Sequence, residues 1–395
     1  LTPTAYNDGE VLCAKPDDGS GDFDFSRNSA ATRVNAQGLV ENVQILSSNL
    51  VQNPSFSEEG VQEVSNGSFS QEGVEQISNG SFDTDTNWVK QTGWSISSGT
   101  ANCDGANGSL FQNGVVEIGK SYLCEFEIKS ITSGSVAINA GGNTTGVSRT
   151  SVGTYSEILQ VSSGSNNRAY IISQGFNGSI DNVSFKEVGQ DWTLGTGWSI
   201  GEDKAVLTNV GYNINCTQAN VTTIGQYYKV EFTILDYISG QIRISLGGNA
   251  TSLVSANGTY VFYLQATINN VLALQPLYAS GTNLSITNIS VKEVGMDWTL
   301  GTGWSIGENK AISDATQGYI TQTDVSGAGV TATYKVQWTQ NITTGTRLRF
   351  FARNYNDGGN ATTLSITRDD GTSMGGGNCV GSGTFTAYVS STNGY

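Results

Sequence analysis

Apolar and polar residues alternate along much of the chain. In the run YYKVEFTIL, Tyr228, Val230, Phe232 and Ile234 alternate with Lys229, Glu231 and Thr233, and soon after Ile242, Ile244 and Leu246 alternate with Arg243 and Ser245. A period of two puts one set of side chains on each face of an extended strand, so these runs predict half-buried β-strands. Clusters of Gly, Asn, Ser and Thr between the runs supply turns. No segment offers the i, i+3, i+4, i+7 apolar stripe of a capped amphipathic helix. The expected class is all-β.

The pattern repeats at long range. The string DWTLGTGWSIGE stands unchanged at 191–202 and 297–308, and NWVKQTGWSISSG, starting at Asn87, is a degenerate third copy. The leading tryptophans, Trp88, Trp192 and Trp298, are therefore 104 and 106 residues apart. SYLCEFEIK (121–129) matches YYKVEFTIL (227–235) and TYKVQWTQN (333–341), while DNVSFKEVG (181–189) matches TNISVKEVG (287–295). Such a period marks tandem homologous units. Several short strands per hundred residues indicate two-sheet sandwiches or jelly rolls. The register also gives Cys124 the place of Val230 and Val336, that of a small inward-facing hydrophobe.

These landmarks divide the chain into an N-terminal module (1–50), a polar repeat region (51–86) and three sandwiches at 87–189, 190–295 and 296–395. The third carries extra Gly/Asp-rich sequence and is expected to be incomplete at its C-terminus, the natural chain continuing. The polar region consists of 13-residue units, NPSFSEEGVQEVS, NGSFSQEGVEQIS and NGSFDTDTNW, each too short to fold alone. Two readings are open for them: hairpin layers in an oligomer, or an expanded linker. The NGSF run precedes only the first sandwich; the second and third are expected to lack this opening strand.

Composition narrows the chemistry. The chain has 395 residues, a net charge of −15 and no histidine. An acidic chain without basic blocks is a poor partner for phosphate backbones, and no window approaches the roughly 20 apolar residues of a membrane-spanning helix. Lack of histidine removes the commonest general base and metal ligand. Five scattered cysteines (13, 103, 124, 216, 379) without CxxC spacing fit neither a disulfide framework nor a structural zinc site. The expectation is a protein that binds and does not catalyse, with no catalytic residue.

Two strings carry resemblances. DFDFSRNSAATRVNAQGLVENV, with its core Phe25-Ser26-Arg27, Ala31-Thr32-Arg33-Val34-Asn35 and Gly38-Leu39, resembles an N-terminal module of bacteriophage virion proteins, especially tail-fibre and tail-associated ones. NGSFDTDTNW…TGWSISSGTA, closed by IDNVSFKEV, is similar to the jelly rolls of carbohydrate-binding modules and their phage relatives. The resemblance implies tandem jelly-roll β-sandwich domains in an elongated fibre. Phe23, Phe25, Arg27 and Arg33 would attach the module to other virion proteins of the tail or capsid. It further implies a homotrimer assembled in the bacterial host cytoplasm, located in the virion, and adhering to host cell-surface glycan. A head-fibre or decoration protein with a mainly structural role is the alternative, and a secreted bacterial carbohydrate-binding protein a more distant one.

Within the sandwiches, Trp94, Trp198 and Trp304 recur at one fixed place, as core plugs would. Aromatics that differ between copies, Tyr212, Tyr263, Tyr278 and Phe176, are the candidates for glycan contact. Asp83, Asp85 and Asn87 have a DxDxN spacing, but Trp88 stands where an EF-hand needs glycine. No cofactor is expected; for calcium, Asp83 and Asp181 with backbone carbonyls are the weak candidates.

Overall fold

A computed structural model describes residues 49–277, 281–323, 325, 332–345, 347–350, 362–374 and 377–391. It also describes two short hairpins nearer the N-terminus, Tyr6–Asn7 with Glu10–Val11 and Thr32–Val34 with Val40–Asn42. Every regular element among them is a β-strand. The chain forms two compact units, Leu1–Leu50 and Val51–Tyr395.

The second unit holds three jelly rolls. In the second roll one antiparallel sheet runs Trp198–Gly201, Lys204–Val210, Thr282–Val294, Tyr227–Ser239, Gly258–Gln265, and the opposing sheet runs Cys216–Gln218, Leu272–Pro276, Ile242–Leu246, Asn249–Ala250. In the first roll two long strands, Ser121–Ala140 and Ala169–Val188, bend from one sheet into the other through a series of register shifts. The alternation read from sequence decides which faces meet: Tyr228, Val230, Phe232 and Ile234 are buried in the core of the second roll with Ile242, Ile244 and Leu246 from the facing sheet. Cys124 is likewise fully buried in the core of the first roll. A smaller core around Ile366, Phe385, Ala387 and Val389 serves the third.

The 13-residue units are neither linker nor oligomer layers. They form a strap that supplies an opening segment to each roll, in reverse order. Unit three (from Asn79) docks on Trp88, unit two (from Asn66) on Trp192, and unit one (from Asn53) on Trp298. At each seat the indole Nε1–H donates to the asparagine carbonyl, at 3.0, 3.1 and 3.1 Å, and the phenylalanine three residues on lies against the same indole, with ring centroids 5.3, 5.0 and 5.1 Å apart. The backbone repeats as well. Asn53, Asn66 and Asn79, and Phe56, Phe69 and Phe82, all have φ between 41° and 58°, the left-handed region that asparagine tolerates and phenylalanine rarely enters. Thus the second and third rolls do have opening segments, donated from 126 and 245 residues away.

Units one and two also bridge two rolls each. After docking on the third roll, unit one forms strand Glu59–Gln62 on the closing strand Thr282–Val294 of the second. Unit two docks on the second roll and then forms Glu72–Glu75 on Ala169–Val188 of the first. Val64 and Ile77, at the unit ends, enter the cores of the second and first rolls. Three glutamines spaced like the tryptophans clamp the strap backbone: Gln112 on Ser78, Gln218 on Ser65 and Gln322 on Gln52, each amide both donating and accepting. Gly67 and Gly80 allow the closing strands to come close, because a Cβ there would lie 2.0 Å from the carbonyl oxygens of Ile289 and Val183. The equivalent residue of unit one is Pro54.

Candidate functional site

The first roll presents a flat cluster on the outer face of its second sheet. Phe111 and Tyr170 are direct cross-strand neighbours, and Val89 flanks Phe111 on the other side. They lie on the side of the sheet away from Leu110, Ala169 and Ile171, which take the core, and Phe111 itself is buried there at 7% exposure. The two rings lie 5.3 Å apart at 42°. The Arg168 guanidinium lies 4.8 Å over the Phe111 ring. Its Nε donates to Asn113 Oδ1 at 2.7 Å, and Asn166 Nδ2 donates to Tyr170 Oη at 2.9 Å. Arg168 and Tyr170 are half-buried, Asn113 and Asn166 exposed.

The guanidinium lies over the Phe111 ring, and the surrounding amides and phenol offer both donors and acceptors. Aromatic faces pack against the C–H surfaces of a pyranose ring, while forked polar groups suit adjacent hydroxyls. The matching positions of the second roll are Thr217, Ala273, Val271 and Ala219, which make no such surface. Comparing copies at these positions in the sequence would have singled out Phe111, Arg168 and Tyr170, since they differ between copies as strongly as the residues that were chosen.

The sequence candidates fall as follows. Tyr212 is exposed, in the turn after strand Lys204–Val210. Tyr263 is half-buried beside Gly307, where the second and third rolls meet. Phe176 is a correction: it is fully buried and stacks on Trp94 with centroids 6.2 Å apart. Its variation between copies reflects core packing. Tyr278, Phe23, Phe25 and Arg27 lie outside the described residues. Arg33 is in strand Thr32–Val34, opposite Glu41. Trp94 and Trp198 are buried; Trp304 is half-buried.

Asp83 accepts from Ser81 Oγ at 2.7 Å, and Asp181 from the Asn182 amide at 2.7 Å. Among the described residues no three His, Cys, Asp or Glu side chains gather where they could hold a metal ion. Cys103, Cys124, Cys216 and Cys379 are free and buried, and burial pushes the Cys124 and Cys216 thiols well up, away from a reactive thiolate.

A second concavity, a cleft of about 340 Å³ between the first and second rolls, is lined by Lys120, Ser121, Glu187, Gln190 and Trp192 among others. Lys120 lies 3.1 Å from both Glu117 and Glu187, and the Glu187 bond raises its pKa despite partial desolvation. At the second junction the strap carries the charge pairing. Glu59 contacts Lys229 at 2.6 Å and Lys292 at 2.9 Å, and these two bonds hold its pKa below the usual carboxylate range.

No protein-family model and no curated protein matches the chain. Among solved structures, it is similar to the CBM22-1–CBM22-2 tandem domain from Paenibacillus barcinonensis Xyn10C, at 9% identity over 56% of this chain and 98% of that one, with a TM-score of 0.24. It is also similar to a chain in the atomic structure of Sulfolobus Turreted Icosahedral Virus, at 13% identity over 77% and 89%, with a TM-score of 0.18. A third likeness is to allantoicase from Saccharomyces cerevisiae, at 10% identity over 49% and 80%, with a TM-score of 0.19. Likenesses this slight do not bear on function; the all-β jelly-roll architecture rests on the strand order above.

Proposed function

We propose that this chain is a bacteriophage virion protein of the tail-associated fibre class that adheres to host-surface glycan, with Tyr170 and Arg168, set over the buried Phe111 ring, as its contact. The observation that carries the reading is that face: a guanidinium over an aromatic ring beside a half-buried phenol, rimmed by amides, on a sheet whose opposite side is the core. The reading makes the protein a binder, not a catalyst. Single shallow contacts of this kind are weak, so several chains on one particle, as homotrimers, would act through avidity. The phage-like string at 23–43 supports attachment of the front module to tail or capsid partners.

A glycan array probed with the intact chain tests the proposal. Arg168→Ala and Tyr170→Ala should each lower binding about tenfold or more while leaving the unfolding midpoint nearly unchanged. Binding that survives both substitutions would overturn the assignment. The strap favours a second reading, because tying three rolls into one unit is what a structural spacer on the capsid requires. Antibody labelling of intact particles separates the two, since label confined to the head would remove the tail assignment.

A further inference from the structure

The cleft between the first and second rolls holds two oxygen atoms with unmade hydrogen bonds. Ser121, the first residue of strand Ser121–Ala140, is 2% exposed, and its Oγ has no partner. Gln190 Oε1, in the turn that leads into the second roll, is buried and equally unpartnered. Both residues line the cleft. The Gln190 amide is fixed in orientation. Its Nε2 donates to the Glu187 carbonyl at 2.6 Å, which only the nitrogen can do, so the oxygen is the free end. On the strap side Gly73 leaves room for that amide, since a Cβ there would lie 2.6 Å from Nε2.

The second junction is built on the same register with different side chains. Tyr227 stands where Ser121 does, each opposite the valine that ends a closing strand, Val294 or Val188. Its phenol reaches the third roll and donates to the Trp304 carbonyl at 2.8 Å. Met296 stands where Gln190 does: strap residues Asn53 and Asn66 bond the carbonyls of Met296 and Gln190 respectively. A ring and a thioether thus occupy the positions that the first junction gives to a serine hydroxyl and an amide oxygen. A buried polar atom without a partner is costly. A cleft lined by two such residues gains from a ligand that completes their bonds.

We infer that this cleft is a second binding site, which takes one uncharged polyhydroxyl unit the size of a pyranose ring. Its volume of about 340 Å³ lies at the small end of ligand pockets. Gln190 Oε1 can only accept and Ser121 Oγ can do either, so the guest has to bring hydroxyl donors. Lys120 is held by Glu117 and Glu187, which leaves it uncommitted to an anionic guest, and its ammonium repels a cationic one. Ser121 and Glu187 belong to the first roll, Trp192 and Thr193 to the second, so a bound ring touches both. The site shares no residue with the face around Tyr170 and Arg168. A single ring held this way binds with a dissociation constant on the order of millimolar, too weakly to be retained on an array.

The probes are free glucose, galactose, mannose and N-acetylglucosamine, each titrated into the full chain and followed by saturation-transfer NMR and hydrogen exchange. At least one should bind saturably and slow amide exchange at 119–121 and 190–193, on both sides of the cleft. Ser121→Tyr and Gln190→Met, which copy the second junction, should each weaken that binding about tenfold or more with the circular dichroism of the folded chain retained, while Tyr170→Ala leaves it unchanged. No saturable binding by any of the four sugars, or binding without protection of those two segments, overturns the inference. Binding that persists in both cleft variants and disappears with Tyr170→Ala also overturns it, and leaves the outer face as the sugar site. Putrescine binding in place of the sugars overturns the uncharged class of guest.

Discussion

The second and third rolls contain the same twelve residues, DWTLGTGWSIGE, and bury them differently. Locally the two strings agree. Asp191 and Asp297 both have φ of 71°, and the second tryptophan of each closes the same turn, donating its backbone N–H to the carbonyl of Gly195 or Gly301 at 3.1 Å. Ile200 and Ile306 are both buried, each beside a glycine that ends the preceding roll, Gly189 or Gly295. Yet Trp198 is 1% exposed and Trp304 only half-buried. One difference lies outside the string: Leu207, opposite Trp198, is replaced by Ser313. Identical residues therefore dictate the turn and the hairpin, while the rest of the chain decides how much surface they bury.

Changes to the strap should separate the rolls in the same way. The largest effect is expected from deleting residues 66–78. Unit three would still serve the first roll, while Pro54 bars unit one from the second, which would have no opening segment. Limited proteolysis should then cut the second roll first. If all three rolls stayed equally resistant, reverse-order pairing would be wrong. Next, Phe69→Ala should cost about 3–5 kcal/mol in urea unfolding of the second roll, the usual penalty for a buried phenylalanine. Phe56→Ala, at a half-buried site, should cost less than half as much.

Gly67→Ala sharpens the comparison further. Its methyl group would meet the Ile289 carbonyl, so a loss of about 1–3 kcal/mol is expected, whereas Pro54→Ala should change stability by about 0.5 kcal/mol or less. The smallest effect concerns pH. Because Lys229 and Lys292 lower the folded-state pKa of Glu59, its contribution is complete above the ordinary glutamate pKa of about 4.3. It is lost as pH falls through the lower folded value. For so exposed a cluster the amount is under about 1 kcal/mol. Glu293, in the same junction, has the opposite sign: burial first and the Glu63 charge second raise its pKa, so it favours folding more as pH drops through the raised value. Denaturation midpoints of Glu59→Gln between pH 3 and 6 should therefore fall less on the acid side than those of the wild type.

Much of the fold was legible because alternation and turn residues act over a few positions. Tyr228, Val230, Phe232 and Ile234 point where their spacing says, and Cys124 lies where its register says. The strap was not legible, since no local rule connects Asn66 to Trp192 across 126 residues. A signal existed nonetheless: three NxSF units accompany three leading tryptophans, and only one of those tryptophans has its own unit beside it. The aromatic face of the first roll escapes the sequence for a different reason. Variation between copies marks both half-buried outward residues such as Tyr170 and buried fillers such as Phe176, and only the side of the sheet tells them apart.

The strap also imposes an order of events during synthesis. The first roll meets its own segment 9 residues upstream, the second must reach back 126 and the third 245. At ribosomal rates of roughly 5–20 residues per second, the outermost segment waits on the order of 10–50 s for its seat. During that interval it passes two earlier seats built for its close relatives. Pro54 excludes it from both, since a ring there would strike the carbonyl that Gly67 and Gly80 accommodate. One proline thus keeps the earliest-made segment free until the last roll emerges.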